Sequence, residues 1–202
     1  MTPPGNGPDT EIRVERPGPG SHRTTLTLDG HPTETLEDLP PVRNRLLFVG
    51  LNPSLVSVEA GHYHQGQLGR MFWARLIRAH ILPAGTAIEA ADDALIAVGH
   101  GITDLLKHPT ARDTASDAQL TAGVGPLWQK VAIWRPGAIV FIYKRAAEIS
   151  AGRKLEARWG QLVGVALAGR PCFLMPGPYA PSGEVDQGLN FLRNVQASLP
   201  YD

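Results

Sequence analysis

Apolar residues in this chain fall into short solid blocks, short alternations, and longer runs spaced three and four apart. Thr24-Thr25-Leu26-Thr27-Leu28 alternates and predicts a short edge strand ended by Asp29-Gly30. Residues 36–41 read as a connector closed by Pro40-Pro41. Leu46-Leu47-Phe48-Val49 is continuously apolar and stops at Gly50, as a strand buried on both faces does. Residues 51–67, rich in Gly, Pro and polar groups, predict a loop. Residues 68–81 have helical spacing, with Phe72, Leu76 and Ala79 on one stripe and Pro83 as the stop. Thr86 and Glu89 have the spacing of a capping box for a second helix running to Gly99. After a polar loop at 107–115, Ser116 or Thr121 opens a helix that reaches Trp134. Residues 138–143 form a second buried strand and 144–151 a short helix. Residues 161–167 and 171–175 flank Ala168-Gly169-Arg170 as a hairpin. A second loop at 176–184 leads to a final helix over 186–198.

Strands alternating with helices predict an α/β sandwich with a largely parallel central sheet. Ligands of such sheets sit beyond the carboxyl ends of the strands, so the loops after Gly50 and Met175 mark the functional edge. Five Pro and four Gly among the first 20 residues predict a loosely attached tail over 1–22, leaving 23–202 as one domain. Cys172 is the one cysteine, which excludes an internal disulfide framework and four-cysteine metal or iron–sulfur sites. Its apolar neighbours predict a buried structural thiol. No apolar stretch nears the ~20 residues of a membrane span, and the expectation is a cytoplasmic protein.

The loop Gly50-Leu51-Asn52-Pro53-Ser54 carries the first candidate chemistry. Pro53 forces Asn52 into an extended conformation and holds its amide rigidly over the sheet edge. An amide there can hold a water and a substrate oxygen together, or simply bond its own backbone in a turn. Downstream, His62 and His64 suggest a metal, but two imidazoles without a third placed ligand make no site, and no metal is expected.

The run RLLFVGLNPS, then Gly61, Arg70-Met71-Phe72-Trp73, Gly101-Ile102-Thr103-Asp104-Leu105 with Pro109-Thr110, the strand from Ile139 to Tyr143 and the hairpin ending at Met175-Pro176 resemble the mismatch-specific uracil-DNA glycosylases of the uracil-DNA glycosylase superfamily. The resemblance covers about residues 44–198. It implies a three-layer α/β/α sandwich. It also implies an enzyme that flips uracil, or another mismatched pyrimidine, out of double-stranded DNA and hydrolyses its N-glycosidic bond. No cofactor, no membrane and a monomer go with that reading.

By the resemblance Asn52 positions the attacking water, while Gly50, Leu51 and Ser57 belong to the substrate pocket. Backbone N–H groups of Leu51 and the loop around Tyr63 would stabilise the pyrimidine anion. Tyr63, then His64, is the candidate to stack under the flipped base. Two departures from the family pattern stand out: Ser54 replaces a glycine, and the loop from Pro176 to Gly183 is longer than usual. Within it Tyr179 is a candidate wedge for the emptied stack, with Ser182 and Gly183 as further DNA contacts. An amide cannot take a proton from water, so a carboxylate is sought behind it: Asp93 first, then Asp92 or Glu59. Arg70, Lys107, His108, Thr110, Arg112, Lys144 and Arg145 are candidate phosphate contacts. The alternatives are a damage-recognising DNA-binding module that does not cut, or a small-molecule nucleoside hydrolase.

Charge first argues against a DNA partner, since 19 Lys and Arg balance 19 Asp and Glu. Its distribution changes the picture. Residues 43–80 carry 5 basic and 1 acidic group and residues 121–170 carry 8 and 2, against 3 and 7 in residues 1–42. A positive face on a neutral chain predicts weak, releasable binding to undamaged duplex.

Overall fold

The computed structural model describes residues 14–111 and 114–200. A two-stranded hairpin, β1 (Arg23–Leu28) and β2 (His31–Leu36), precedes a five-stranded sheet. That sheet contains β3 (Leu46–Gly50), β4 (Gly101–Asp104), β5 (Ala138–Phe141), β6 (Gly160–Leu167) and β7 (Arg170–Leu174) in the order β4-β3-β5-β7-β6. Every pair is parallel except β6 with β7. The largely parallel sheet expected from the strand–helix alternation is therefore present.

The continuous apolar blocks are explained by two-sided burial. Leu46 and Phe48 of β3, with Ala138 and Val140 of β5, face one core, and Leu47 and Val49, with Ile139 and Phe141, face the other. The first core is closed by α2 (Gln67–Arg78), α3 (Ala91–Ala97) and α7 (Ser182–Ser198) through Trp73, Leu76, Leu95 and Leu189. The second is closed by α4 (Asp117–Ala122), α5 (Val124–Trp134) and α6 (Lys144–Ala151) through Leu120, Leu127, Val131 and Ala146. These are the two helical layers of an α/β/α sandwich. Cys172 lies fully buried in the second core, and burial pushes its thiol up to about 11, so it is an inert packing group.

Several local expectations change. Asp29-Gly30 does not merely end β1. Both residues have positive φ (50° and 81°), the twist a two-residue hairpin needs, and they fold β2 back onto β1. The expected loop at 51–67 contains a short helix, α1 (Leu55–Ala60), capped by Ser54, whose side chain accepts from the Ser57 N–H. The Thr86 capping box does not form. Thr86 donates backwards to the Pro83 carbonyl, Glu89 is drawn to Arg70 at 2.7 Å, and α3 begins later behind a 3-10 turn at Ile88–Ala90. The capping box that does form is at Ser116 with Gln119, and the helix behind it breaks at Gly123 into α4 and α5.

Composition assigned residues 1–22 to a loose tail; residues 1–13 lie outside the described residues, and 16–22 are held to the domain. The Arg16 guanidinium donates to the carbonyls of Pro40 (2.9 Å) and Ile96 (2.7 Å). Gly20 N–H donates to Asp93 at 3.0 Å, and His22 is 1% exposed. Pro and Gly kept this arm out of helix and strand without preventing it from packing.

Candidate functional site

A cavity of about 410 Å³ opens at the carboxyl ends of β3, β4 and β5. That is within the range of small-molecule pockets and can hold a base with its sugar. Leu51, Asn52, Ser54 and Ser57 line it from the segment after β3, Asp104 and Thr110 from the end of β4 and its loop, Tyr143 from the turn between β5 and α6, and Pro178 from the loop after β7. Both loops placed on the functional edge by the sheet rule therefore contribute.

The segments after β3 and β4 are zipped together. Leu105 N–H donates to the Gly50 carbonyl (3.1 Å), Leu106 N–H to Leu51 (2.9 Å), and Thr110 N–H to Pro53 (3.1 Å). This frame fixes Asn52. Its Nδ2 lies 2.8 Å from Thr110 Oγ1 and 3.2 Å from the carbonyls of Pro53 and His108. With the nitrogen so engaged, the amide oxygen is the acceptor left for a water in the pocket. The contact to Pro53 is local but is not an Asx turn, since the amide nitrogen donates to the carbonyl of the next residue, and it coexists with the clamp from the second loop.

Asp104 ends β4 and is 2% exposed. Among the described residues neither of its carboxylate oxygens has a hydrogen-bond partner. Burial pushes its carboxyl up to about 7, against the pull of Lys107 and Lys130. Behind it lies a satisfied ionic network. Burial works against the charge of Asp38, yet Lys107 at 2.5 Å and Lys130 at 2.7 Å bring its carboxyl down to about 2. Gly50 makes room for Asp104, because a Cβ there would run into the carboxylate. Gly50 itself is thus a spacer behind the pocket. Asp104 was legible only as part of the run Gly101 to Leu105, which the sequence does not mark as a strand end.

Tyr63 does reach the pocket, but it is 1% exposed and its hydroxyl is committed, donating to the Glu37 carbonyl (2.7 Å) and accepting from Lys107 (3.0 Å). It forms a wall, and two other rings line the cavity beside it. His64 packs on Phe72 at a centroid distance of 5.0 Å and lies 6.2 Å from Tyr143, which also lines the cavity. Burial brings the His64 imidazole down to about 4, so it is neutral at working pH, and its Nε2 is buried with no partner among the described residues. Tyr143 was not a candidate from sequence, where it read as the end of a strand. Ser57 lines the pocket and also braces it, accepting from the Gln65 N–H at 3.0 Å and meeting Ser54 Oγ at 2.8 Å.

The expected water-activating carboxylates lie elsewhere. Asp93 is absent from the pocket lining and accepts from Gly20 N–H (3.0 Å) and faces His22 Nε2 (2.9 Å). Asp92 sits behind the pocket wall, bound to His62 Nδ1 (2.8 Å) and accepting from Tyr63 N–H (2.7 Å). Glu59 is exposed on α1. Helical spacing set Asp92 and Asp93 about 100° apart, so that at most one could face the site; that Asp93 meets the N-terminal arm and Asp92 meets His62 and Tyr63 is a tertiary fact. His62 and His64 likewise diverge, His62 towards Asp92 and His64 into the pocket.

Around the rim, Tyr179 is 85% exposed on a loop that α2 braces. The Arg75 guanidinium donates to the carbonyls of Pro176 (2.9 Å), Gly177 (3.2 Å) and Pro178 (3.0 Å). Ser182 and Gly183 form the exposed first turn of α7, where N–H groups lack helical partners. Arg70 is exposed and paired with Glu89. Lys107 is spent inside, on Asp38, Leu36 and Tyr63, and is no phosphate contact. His108 pairs with Asp29 (3.0 Å) and Arg145 with Asp117 (2.8 Å), while Lys144 remains exposed and Arg112 lies outside the described residues.

No helix among the described residues is long and apolar enough to cross a membrane. No curated protein matches the chain in sequence. The family model of the uracil DNA glycosylase superfamily matches residues 36–186, which spans the whole pocket from Leu36 to Pro178. The parallel sheet, the clamped Asn52 at its carboxyl edge and this match agree: the chain belongs to the uracil DNA glycosylase superfamily, whose activity is excision of uracil or a related base from DNA.

Proposed function

We propose that this protein is a monofunctional glycosylase that takes uracil, above all uracil mismatched with guanine, out of duplex DNA and leaves an abasic site. The observation that carries the reading is the pairing, in one cavity, of a clamped Asn52 with the buried, unpartnered carboxyl of Asp104. Uracil offers an N–H donor beside a carbonyl acceptor. A neutral carboxylic acid matches that edge, donating to O4 and accepting from N3–H, and a pKa near 7 keeps much of Asp104 in that form.

The reaction needs little acid–base help. The amide oxygen of Asn52 orients a water toward the anomeric carbon. As the C1′–N1 bond breaks, its electron pair goes to the pyrimidine and positive charge grows on the sugar. Water adds to that carbon and loses one proton to solvent, and the departing pyrimidine anion takes one proton up from solvent. Neutral His64 presents Nε2 as a further polar contact, with Tyr143 beside it as the aromatic wall. The largest catalytic gain comes from oriented dipoles around the leaving base.

Outside the pocket, Tyr179 fills the gap left by the flipped base, and Arg70, Ser182 and Gly183 touch the backbone. Flipping costs least at a mismatch, which favours uracil opposite guanine over uracil opposite adenine. The test is incubation with a duplex carrying one uracil opposite guanine, followed by alkali. Strand scission at the uracil is expected. Salt-sensitive binding without scission overturns the reading and leaves a damage-binding module; cleavage of free deoxyuridine alone leaves a nucleoside hydrolase.

A further inference from the structure

Outside the pocket, four side chains converge that the glycosylase reaction does not use. His22 comes from the N-terminal arm, His62 from the turn after α1, and Asp92 and Asp93 from α3. One ligand atom from each lies within 4.8 Å of all the others. From this cluster we infer a binding site for a divalent transition metal, zinc by its donor set, that fastens the arm to the back wall of the pocket.

Two imidazoles and two carboxylates are donors that zinc accepts, and four of them complete a tetrahedral structural site. With bonds of about 2.1 Å, ligand atoms around zinc stand about 3.4 Å apart. The present pairs, His22 with Asp93 at 2.9 Å and His62 with Asp92 at 2.8 Å, would each open by about half an ångström, and the wider separations would close.

The surroundings resemble those of a ligand set. His22 is 1% exposed, and its other ring nitrogen, Nδ1, lies 3.3 Å from Glu37 Oε1. A carboxylate behind a histidine fixes the ring orientation and leaves the far nitrogen for a metal. His22 is itself held by its backbone, with its N–H donating to Gly61 (2.8 Å) and its carbonyl accepting from Glu37 N–H (2.9 Å). His62 and Asp93 are only partly buried and give an ion a way in. The second oxygen of Asp92 accepts from the N–H of Tyr63, so the metal would act on a residue that lines the base pocket.

The inference stands or falls independently of the substrate. Its test uses the full chain, stripped with a chelator and titrated with zinc chloride against a chromophoric competitor, then separately with cobalt chloride in the visible range. One zinc per chain is expected, with cobalt giving the absorption of a four-coordinate site. His62→Gln should abolish both signals while His31→Gln, in the exposed hairpin, leaves them unchanged. Glu37→Gln, which touches no metal, should weaken zinc binding about tenfold or more through His22 and keeps the test open if His62→Gln misfolds. The idea is overturned if the wild type takes up no stoichiometric zinc, or if His62→Gln binds as the wild type does. The four residues are then two hydrogen-bonded clamps. Uptake of manganese alone, without the cobalt spectrum, overturns the tetrahedral zinc assignment.

Discussion

Asp92 and Asp104 lie on opposite sides of the Tyr63 wall, both almost wholly buried, at 0% and 2% exposure. Asp92 is saturated: His62 takes one oxygen and the Tyr63 N–H the other. Asp104 has no partner among the described residues for either oxygen. Burying a carboxyl is costly unless it is paired or neutral. Asp92 offsets that cost only in part with local bonds, since burial still raises its carboxyl above the usual range, and so holds structure together. Asp104 meets it by keeping its proton, which is an arrangement that stabilises nothing unless something else enters the pocket. Burial alone therefore does not distinguish a brace from a binding group; the state of the lone pairs does.

The sharpest way to break this contrast is to neutralise each acid in turn. Asp104 ionises late in the fold and early in the unfolded chain, so between about pH 4 and pH 7 the folded state holds the extra proton. Stability conferred by the rest of the fold should thus decline as pH rises through that window. Asp104→Asn removes the decline and should be more stable than wild type at pH 8 by up to about 4 kcal/mol, the gap closing below about pH 4 in denaturant melts. The same variant tests the uracil contact. Wild-type excision should fall as pH rises above about 7, as Asp104 loses its proton, whereas Asn keeps donor and acceptor and its profile should stay flat.

Next in size is Asn52→Ala, which leaves the cavity but loses the water's acceptor. Single-turnover excision should drop about 100-fold or more with little change in duplex binding. Asp92→Ala should do the opposite. It strands the Tyr63 N–H and costs about 1–3 kcal/mol in denaturant midpoint, with excision reduced only as far as the wall loosens. The smallest effect belongs to the rim. Tyr179→Ala should slow excision from duplex about tenfold, or about 1.4 kcal/mol, and leave single-stranded uracil substrates unaffected.

What could be read from the chain follows from where information resides. β3, β5 and α6 are written locally, as solid apolar blocks bordered by Gly50 or Gly137 or as a short amphipathic run. β4 is not: Gly101–Asp104 carries one large apolar residue, Ile102, and is a strand because β3 pairs with it and Leu39 bridges its outer side. β2 contains Pro32 and polar residues, and it exists because the Asp29-Gly30 turn returns it to β1. The site divides in the same way. Asn52 was legible because Pro53 and the strand end constrain it within a few residues. The partner carboxyl was sought on α3, since helical spacing can give a face but cannot name what that face meets. Asp104 reaches the pocket through sheet register with Gly50, which links residues 54 positions apart. The arm was read as loose for a related reason: proline and glycine report on backbone freedom, whereas Arg16 and His22 find their partners only in the folded domain.

The three carbonyls gripped by Arg75 bear on how the enzyme chooses its target. Arg75 ties the rim to α2 at Pro176, Gly177 and Pro178, which restrains it from reshaping around a base pair. Under the glycosylase reading, the DNA must do the bending, and the work of opening is charged to the duplex. A wobble pair yields more readily than a Watson–Crick pair. On the proposed reading, discrimination would begin before any base enters the cavity, with a restrained rim sampling which pairs are already weak.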